Sequence, residues 1–223
     1  MKLTIFNGSP RNKKSNSKIL TDHFLEGFGR ICPEAVTVHY LADRNAKEEE
    51  KEIFRTSETV IIIFPLYTDC MPGIVKEFIE NVSQIEFTGR KKLGFIVQSG
   101  FPEAIHSSFI EKYLEKLTAR LKCEYLGTII KGGVEGIQSM PPMMTKKLFR
   151  NFEMLGEYFA EHTAFAPDLK AKLRKPYKMS AMGRFIFGAL IKTGVTNFYW
   201  NSKLKENGAF KERFAKPYAI NAK

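Results

Sequence analysis

Serine hydroxyls, asparagine amides and four cationic side chains follow the first apolar run of the chain, in the stretch FNGSPRNKKSNSK (Phe6 to Lys18). Gly8 permits a tight turn at the end of a strand. The Arg11 guanidinium offers a planar fork of donors that suits phosphate oxygens. The start of the helix that follows would direct free N–H groups and its dipole toward the same anion. The stretch therefore predicts a phosphate site, and a polar surface turn with a serine N-cap stays open as the alternative.

Motifs that are missing narrow the chemistry of this loop. It contains neither G-x-G-x-x-G nor G-x-x-x-x-G-K-[ST], which argues against a dinucleotide site of the Rossmann type and against a nucleoside-triphosphate loop. A single phosphate group fits best. The three cysteines (Cys32, Cys70 and Cys123) form no C-x-x-C pair, which argues against a zinc site or an iron–sulfur cluster held by this chain alone.

Apolar patterns predict the elements that must position this loop. Short β-branched or alternating runs indicate five strands, at residues 2–6, 35–41, 59–67, 92–100 and 124–133. Helical spacing or composition indicates five helices, at residues 17–28, 45–54, 71–82, 106–121 and 146–162. Strict alternation of strands and helices predicts an α/β fold with a doubly wound parallel sheet. Five strands fit the flavodoxin-like order 2-1-3-4-5.

In such a sheet, ligands bind beyond the carboxyl ends of the strands, near the point where the strand order reverses. The loops after the first, third and fourth strands should meet there. The third-strand segment is PLYTDCMPGIVKEFIE (Pro65 to Glu80), and the fourth-strand loop is QSGFPEA (Gln98 to Ala104). The glycine-rich segment after the fifth strand, GGVEG (Gly132 to Gly136), is interpreted as a turn rather than as a phosphate loop.

The pattern G-S-P-R, then S-N-S and an apolar helix, resembles the NAD(P)H-dependent FMN reductase family, and the match extends to the Pro-Leu-Tyr segment at residues 65–67. The resemblance covers roughly residues 1–160 and implies a flavodoxin-like fold. It implies that the first loop holds the phosphate of FMN and that the third-strand loop lies against the flavin ring. It also implies electron transfer from NAD(P)H through FMN to a quinone, a flavin or another small acceptor, and a homodimer.

The same resemblance implies the residues that bind the cofactor. Those expected at the phosphate are Ser9, Arg11, Ser15, Asn16 and Ser17. Those expected at the isoalloxazine ring are Pro65, Leu66, Tyr67, Thr68 and Asp69, with Ser99, Gly100 and Phe101 closing the site. No protein acid or base is assigned, since the cofactor carries the redox chemistry. Cys70, in the ring loop, is interpreted as a partly buried filler rather than a redox-active thiol.

Two other interpretations of the domain stay open. A flavodoxin-type electron carrier would bind FMN without turning over a small substrate, although such carriers are usually acidic, whereas this chain has a net charge of +11. The second of these is a scaffold that kept the fold and lost the cofactor.

Charge divides the chain into two regions. Residues 1–165 hold 22 Lys and Arg against 21 Asp and Glu, whereas residues 166–223 hold 13 against 3. We therefore predict an FMN-binding domain at residues 1–165 and a basic, aromatic-rich extension, mainly helical or irregular, at residues 166–223. The favoured interpretation is that the extension packs its aromatic side chains on the domain or on a second subunit. Contact of the segment Arg184 to Lys192 with a membrane surface is open but less favoured, and nucleic acid is not expected as a partner.

The absence of two kinds of segment bears on location. No run reaches the roughly 18 to 20 apolar residues of a membrane span. The start of the chain, MKLTIFNGSP, has a single lysine and too short an apolar run for a secretory signal. The sequence therefore predicts a cytoplasmic protein.

Overall fold

The structure is a computed structural model that describes residues 2–33, 36–43, 46–87, 89–194 and 197–216. Five parallel strands form one sheet in the order β2-β1-β3-β4-β5, which confirms the predicted flavodoxin-like arrangement. The strands are β1 (Leu3–Asn7), β2 (Val36–Tyr40), β3 (Thr59–Pro65), β4 (Lys92–Gln98) and β5 (Glu124–Lys131).

Helices connect the strands and continue beyond the sheet. Those between strands are α1 (Asn16–Ile31), α2 (Lys47–Thr56), α3 (Gly73–Val82) and α4 (Ser108–Arg120). Those after the last strand are α5 (Pro142–His162), α6 (Pro167–Leu173), α7 (Ala181–Lys192) and α8 (Phe198–Glu206). The predicted strand starting at Ala35 and helix starting at Asn45 begin outside the described residues, and their described parts are strand and helix as expected.

Two predicted boundaries differ near the ring loop. The third strand ends at Pro65 rather than Tyr67, because the chain turns sharply over the next residues. Helix α3 begins at Gly73, since Pro72 has an extended ψ of 152° and precedes the helix instead of opening it.

The sheet has an apolar core on each face, as a doubly wound fold requires. On one face, Phe24 of α1 and Phe152 of α5 pack with Ile5 and Ile61 of the sheet. On the other face, Phe54 of α2 lies in the second core, together with residues of α3 and α4. All seven residues of β3 are buried, which explains the continuous apolar run TVIIIFP at the centre of the sheet.

Helices α1 and α5 approach so closely that only glycine fits at the crossing. A Cβ at Gly27 would lie 1.8 Å from the Glu153 carbonyl oxygen, and a Cβ at Gly156 would lie 1.9 Å from the Phe24 carbonyl oxygen. This contact fixes α1, and therefore the loop that precedes it, against α5.

The chain divides into two compact units, the first reaching Lys178 and the second starting at Met179. Below, "body unit" means the described residues up to Lys178, and "C-terminal unit" means residues 179–216. Residues 166–178, which the sequence analysis placed in the extension, belong to the body unit because Leu169 and Leu173 of α6 are buried in its core. The C-terminal unit contains α7 and α8, in agreement with a largely helical extension. Among the described residues, no helix is both long enough and apolar enough to cross a membrane.

Candidate functional site

The loops that follow four strands begin side by side at the carboxyl edge of the sheet. The Gly8 N–H donates to the Ile63 carbonyl over 2.7 Å, joining the end of β1 to β3. Leu66, just after β3, donates to the Gln98 carbonyl of β4 over 2.8 Å. Ser99 donates to the Lys131 carbonyl of β5 over 3.0 Å. The three loops expected to form the site are therefore neighbours, and a fourth loop, after β5, joins them.

The loop after β1 is folded tightly against the sheet. Asn7 turns its side chain back so that its Oδ1 accepts from the Ser9 N–H over 3.0 Å. Gly8 has no room for a side chain, because a Cβ there would lie 2.2 Å from Cγ2 of Val75. Helix α1 then opens at Ser15, whose Oγ accepts from the Lys18 N–H over 3.1 Å. The serine N-cap of the alternative interpretation is thus present.

Three buried serines of this loop act as hydrogen-bond acceptors toward the protein. Ser9 Oγ accepts from the Arg11 N–H over 3.4 Å, and Ser17 Oγ accepts from Nε2 of Gln98 over 3.4 Å. Ser15 Oγ accepts from the helix as described above. Within the described residues, none of the three O–H groups has an acceptor of its own, so each retains a hydrogen to donate. This donor set matches the needs of an anion.

Arg11 reaches toward a carboxylate of the fourth loop. Its Nη2 lies 3.5 Å from Oε2 of Glu135, and both side chains are partly exposed. The same glutamate lies over Gly100, where an added Cβ would be 3.2 Å from Glu135 Cβ. The ion pair is long and solvated, so Arg11 remains available for a stronger anionic partner.

The Asn16 side chain is engaged within the protein. Its Nδ2 donates to the Val134 carbonyl over 2.9 Å, and its Oδ1 accepts from Nε2 of Gln138 over 3.1 Å. These bonds tie the start of α1 to the segment after β5. The expected role of Asn16 at a phosphate therefore falls on its backbone N–H, in the first turn of the helix.

The loop after β3 holds an unusual backbone. Tyr67 and Cys70 exchange two backbone hydrogen bonds, of 2.9 and 3.0 Å, around a turn whose central residues are Thr68 and Asp69. Both have positive φ, 48° and 61°, which is costly for residues other than glycine and most of all for β-branched threonine. Such strain is typical of functional sites. Pro65 and Leu66 are buried and anchor the turn.

Side chains on this turn face solvent. Tyr67 is exposed, and Cys70 is a free, exposed cysteine, so the interpretation of Cys70 as a partly buried filler is wrong. The turn adopts its shape through the backbone, and it leaves these side chains outside the core.

The loop after β4 contributes a hydroxyl and an aromatic ring. Ser99 is buried, and its Oγ has no hydrogen-bond partner within the described residues. Phe101 is exposed and lies on the His106 ring, with 4.8 Å between ring centroids. A buried hydroxyl without a partner at the ligand-binding edge of the sheet calls for a polar group from outside the protein.

The loop after β5 is the part that sequence reasoning missed. Gly133 donates to the Phe101 carbonyl over 2.7 Å, and Val134 donates to the Ser99 carbonyl over 3.0 Å. A Cβ at Gly132 would lie 2.5 Å from the Phe101 carbonyl oxygen, so the glycines permit a close approach. The segment is a turn, as interpreted, but this turn also supports the β4 loop. The glycine cluster after a predicted strand at the same edge was the available signal.

A lysine at the end of β5 has a shifted pKa and lies at this edge of the sheet. The Lys131 Nζ donates to the Gly132 carbonyl over 2.6 Å, and burial lowers the pKa of its ammonium group. Its cationic form is therefore less favoured than that of an exposed lysine.

The sheet order and the polar loops at its carboxyl edge define a doubly wound α/β protein with a candidate ligand site at that edge. The chain belongs to the family described as having a flavodoxin-like fold, whose model matches residues 1–148. No protein of curated function matches the sequence.

Solved structures share this fold at low sequence identity. A protein from P. pentosaceus described as an NADPH-quinone reductase is 21% identical, with a TM-score of 0.55 over 69% of this chain and 96% of that chain. An FMN-dependent NADH-azoreductase from Bacillus anthracis, solved with FMN, is 17% identical, with a TM-score of 0.55 over 72% and 100%. An NAD(P)H:quinone oxidoreductase from Methanothermobacter marburgensis is 15% identical, with a TM-score of 0.58 over 73% and 97%. Their fold agrees with the fold that the resemblance drawn from the sequence implies.

Proposed function

We propose that the protein is an FMN-dependent oxidoreductase that takes electrons from NAD(P)H and passes them to a quinone, a flavin or another small acceptor. The observation that carries the proposal is the donor set of the β1 loop, which holds three serine hydroxyls, a guanidinium and a helix N-terminus and begins next to the loop with the strained turn. The proteins of similar fold named above, which include quinone and azo reductases, support the general reaction.

The residues fit FMN in three respects. Ser9, Ser15 and Ser17 retain hydroxyl hydrogens for a phosphate, with Arg11 beside them. In the loop after β3, the turn at Thr68 and Asp69 offers backbone amides to a ring heteroatom in a fixed, positive-φ conformation. The unpartnered Ser99 hydroxyl supplies a third polar group. When bound, FMN supplies the redox chemistry between the nicotinamide and the acceptor.

The chain's own residues would bind the cofactor and orient it. Thr68 and Asp69 would hold the ring through a backbone already set in its strained form, so little ordering is required on binding. Tyr67 and Phe101 are exposed and could cover apolar ring surface and exclude water from it. No side chain is assigned to move a proton.

We also propose a homodimer, which light scattering of the purified protein would test.

The purified protein tests the function directly. We expect it to be yellow, with the absorption of bound FMN, and to oxidise NAD(P)H when a quinone or free FMN is added. A yellow protein without turnover would favour the electron carrier. A colourless protein that takes up no FMN on mixing would favour the other open interpretation, a scaffold that kept the fold and lost the cofactor.

A further inference from the structure

In the part of the chain that the structure describes, helix α7 carries a broad, exposed apolar face. The helix spans Ala181–Lys192, and none of its residues is buried. At 100° per residue, Met182, Ile186 and Leu190 fall on one side of the helix, and all three are exposed. Phe185, at 75% exposure, lies at the border of this face. A face of this kind requires a partner surface, because large contiguous apolar patches are rare on isolated soluble proteins.

The opposite side of α7 is a narrow stripe of small and cationic residues. Arg184, Gly188 and Lys192 follow one another at intervals of four, so they lie on the same side of the helix. The long side chains of Arg184 and Lys192 keep their charged ends in water. The pattern is that of a short amphipathic helix with cations on its polar side.

The rest of the C-terminal unit repeats this combination. Phe198 and Trp200 of α8 are exposed, as is Phe214 further on. Between Met179 and Lys216 the sequence has seven Lys and Arg residues against two glutamates, Glu206 and Glu212. Aromatic side chains with cations suit the boundary between lipid headgroups and acyl chains, where Trp and Phe insert and Lys and Arg meet anionic headgroups.

We propose that α7 docks the protein on the surface of a bilayer that contains anionic lipids, with the face of Met182, Ile186 and Leu190 inserted at the headgroup boundary. At twelve residues the helix is about 18 Å long, too short for the roughly 30 Å of a hydrocarbon core, so it lies in the plane of the surface. The excess of positive charge selects an anionic surface over a neutral one. A second copy of this chain is the competing occupant, and it carries the same excess of positive charge.

Vesicle sedimentation of the full chain tests the proposal. We expect binding to vesicles of phosphatidylcholine with about 30% phosphatidylglycerol and little binding to pure phosphatidylcholine, because each cation near an anionic surface contributes about fivefold in partitioning. Binding should weaken when the salt concentration is raised to about 1 M, where charges are screened over about 3 Å. Equal binding to both vesicle types, or no binding to either, would overturn the proposal.

Two pairs of variants locate the contact. The double variant Ile186→Ser/Leu190→Ser should reduce binding at least about tenfold, since it removes two large apolar groups from the inserted face. Its matched control is Phe109→Ser/Tyr113→Ser on α4 of the body unit, where Phe109 is 74% exposed, and it should bind as the wild type does. Arg184→Gln/Lys192→Gln should reduce binding to anionic vesicles, whereas Lys112→Gln/Lys116→Gln on α4 should not.

Light scattering without vesicles separates lipid from a second copy. If Ile186→Ser/Leu190→Ser lowers the molecular mass of the protein while Phe109→Ser/Tyr113→Ser does not, the apolar face is a subunit interface and the membrane proposal fails. We expect the mass to be the same in both variants and in the wild type. Circular dichroism of each variant should match that of the wild type, since all four substituted apolar side chains are solvent-exposed.

Discussion

The body unit and the C-terminal unit place similar side chains in opposite environments. Phe24 and Phe152, on α1 and α5 of the body unit, are fully buried against the sheet, whereas Phe185 and Phe198 of the C-terminal unit are largely exposed. The apolar faces of the body helices have partners within the same unit. Apolar content alone therefore does not indicate burial, and the helices of the C-terminal unit depend on a surface outside that unit.

Glycines sharpen this comparison most strongly. Gly156→Ala should destabilise the body unit by about 3 kcal/mol, because the new Cβ collides with the Phe24 carbonyl and must push α1 from α5. Gly188→Ala is the matched change on α7, where nothing lies within 4 Å, and it should favour its helix by about 0.5 to 1 kcal/mol. Urea denaturation followed by far-UV circular dichroism measures both. Similar midpoints for the two variants would contradict the close packing of α1 on α5.

Substitutions at Arg11 and at its partner Glu135 test whether the β1 loop binds the FMN phosphate. Arg11→Ala should weaken FMN binding by about tenfold or more, since a charge-assisted hydrogen bond contributes about 1.5 to 3 kcal/mol. Glu135→Gln should act in the opposite direction and tighten binding up to about fivefold, because it releases Arg11 from a partly exposed ion pair and removes a negative charge near the phosphate. Titration of the apoprotein with FMN, followed by flavin fluorescence, gives both constants.

The control for this experiment lies in the other unit. Arg184→Ala removes an arginine from α7 and should leave FMN affinity unchanged. If Arg11→Ala and Arg184→Ala behaved alike, the assignment of the β1 loop to the phosphate would have to be abandoned.

Glutamates give a smaller, pH-dependent contrast. Glu50 of α2 is buried, and burial, with Asp43 and Glu49 nearby, raises the pKa of its carboxyl group to about 7. A carboxyl pKa that is raised on folding contributes stability below the unfolded value near 4.5, and this contribution is lost as the pH rises through 7. Glu50→Gln should therefore raise the free energy of unfolding of the body unit more at pH 8 than at pH 4.5. The difference between the two pH values should be about 1 to 2 kcal/mol.

Urea denaturation at the two pH values measures this difference. Glu206→Gln is the control, since Glu206 of α8 is exposed and its pKa is lowered by a hydrogen bond from Lys203. A stabilisation by Glu50→Gln that does not change between the two pH values would show that Glu50 does not titrate in this range.

Local patterns in the sequence predicted much of the fold and part of the candidate site. The apolar run at residues 59–67 and the helical spacing at residues 17–28 identified the central strand and α1, because both depend on neighbouring residues only. The pairing of Arg11 with Glu135 and the bond from Asn16 to Val134 join residues more than a hundred positions apart. No local pattern encodes such pairs, since they arise only when β1 and β5 are brought to the same edge by the sheet.

The same limit applies to the end of the body unit. Charge and loss of periodicity placed the division at 165/166, but Leu169 and Leu173 complete the apolar core beside α5, a contact visible only once α6 has docked. The exposed positive-φ turn at Thr68 and Asp69 is also not apparent from the sequence, because it begins at a β-branched threonine, which disfavours that conformation, and contains no glycine.

Truncation after Lys178 gives the smallest expected effect and the most direct test of the two-unit comparison. Both apolar cores described for the body unit end by Leu173, and the carbonyls of Pro176 and Tyr177 accept hydrogen bonds from Ala104 and Ile105. A chain ending at Lys178 retains all of these contacts, so its thermal midpoint and its FMN affinity should equal those of the full chain. A chain ending at Phe165 loses two buried leucines, which contribute about 1.5 to 3 kcal/mol each, and should unfold at clearly lower temperature. Equal losses from both cuts would mean that the body unit depends on residues 179–223, and the contrast between a self-sufficient core and an exposed apolar helix would then be wrong.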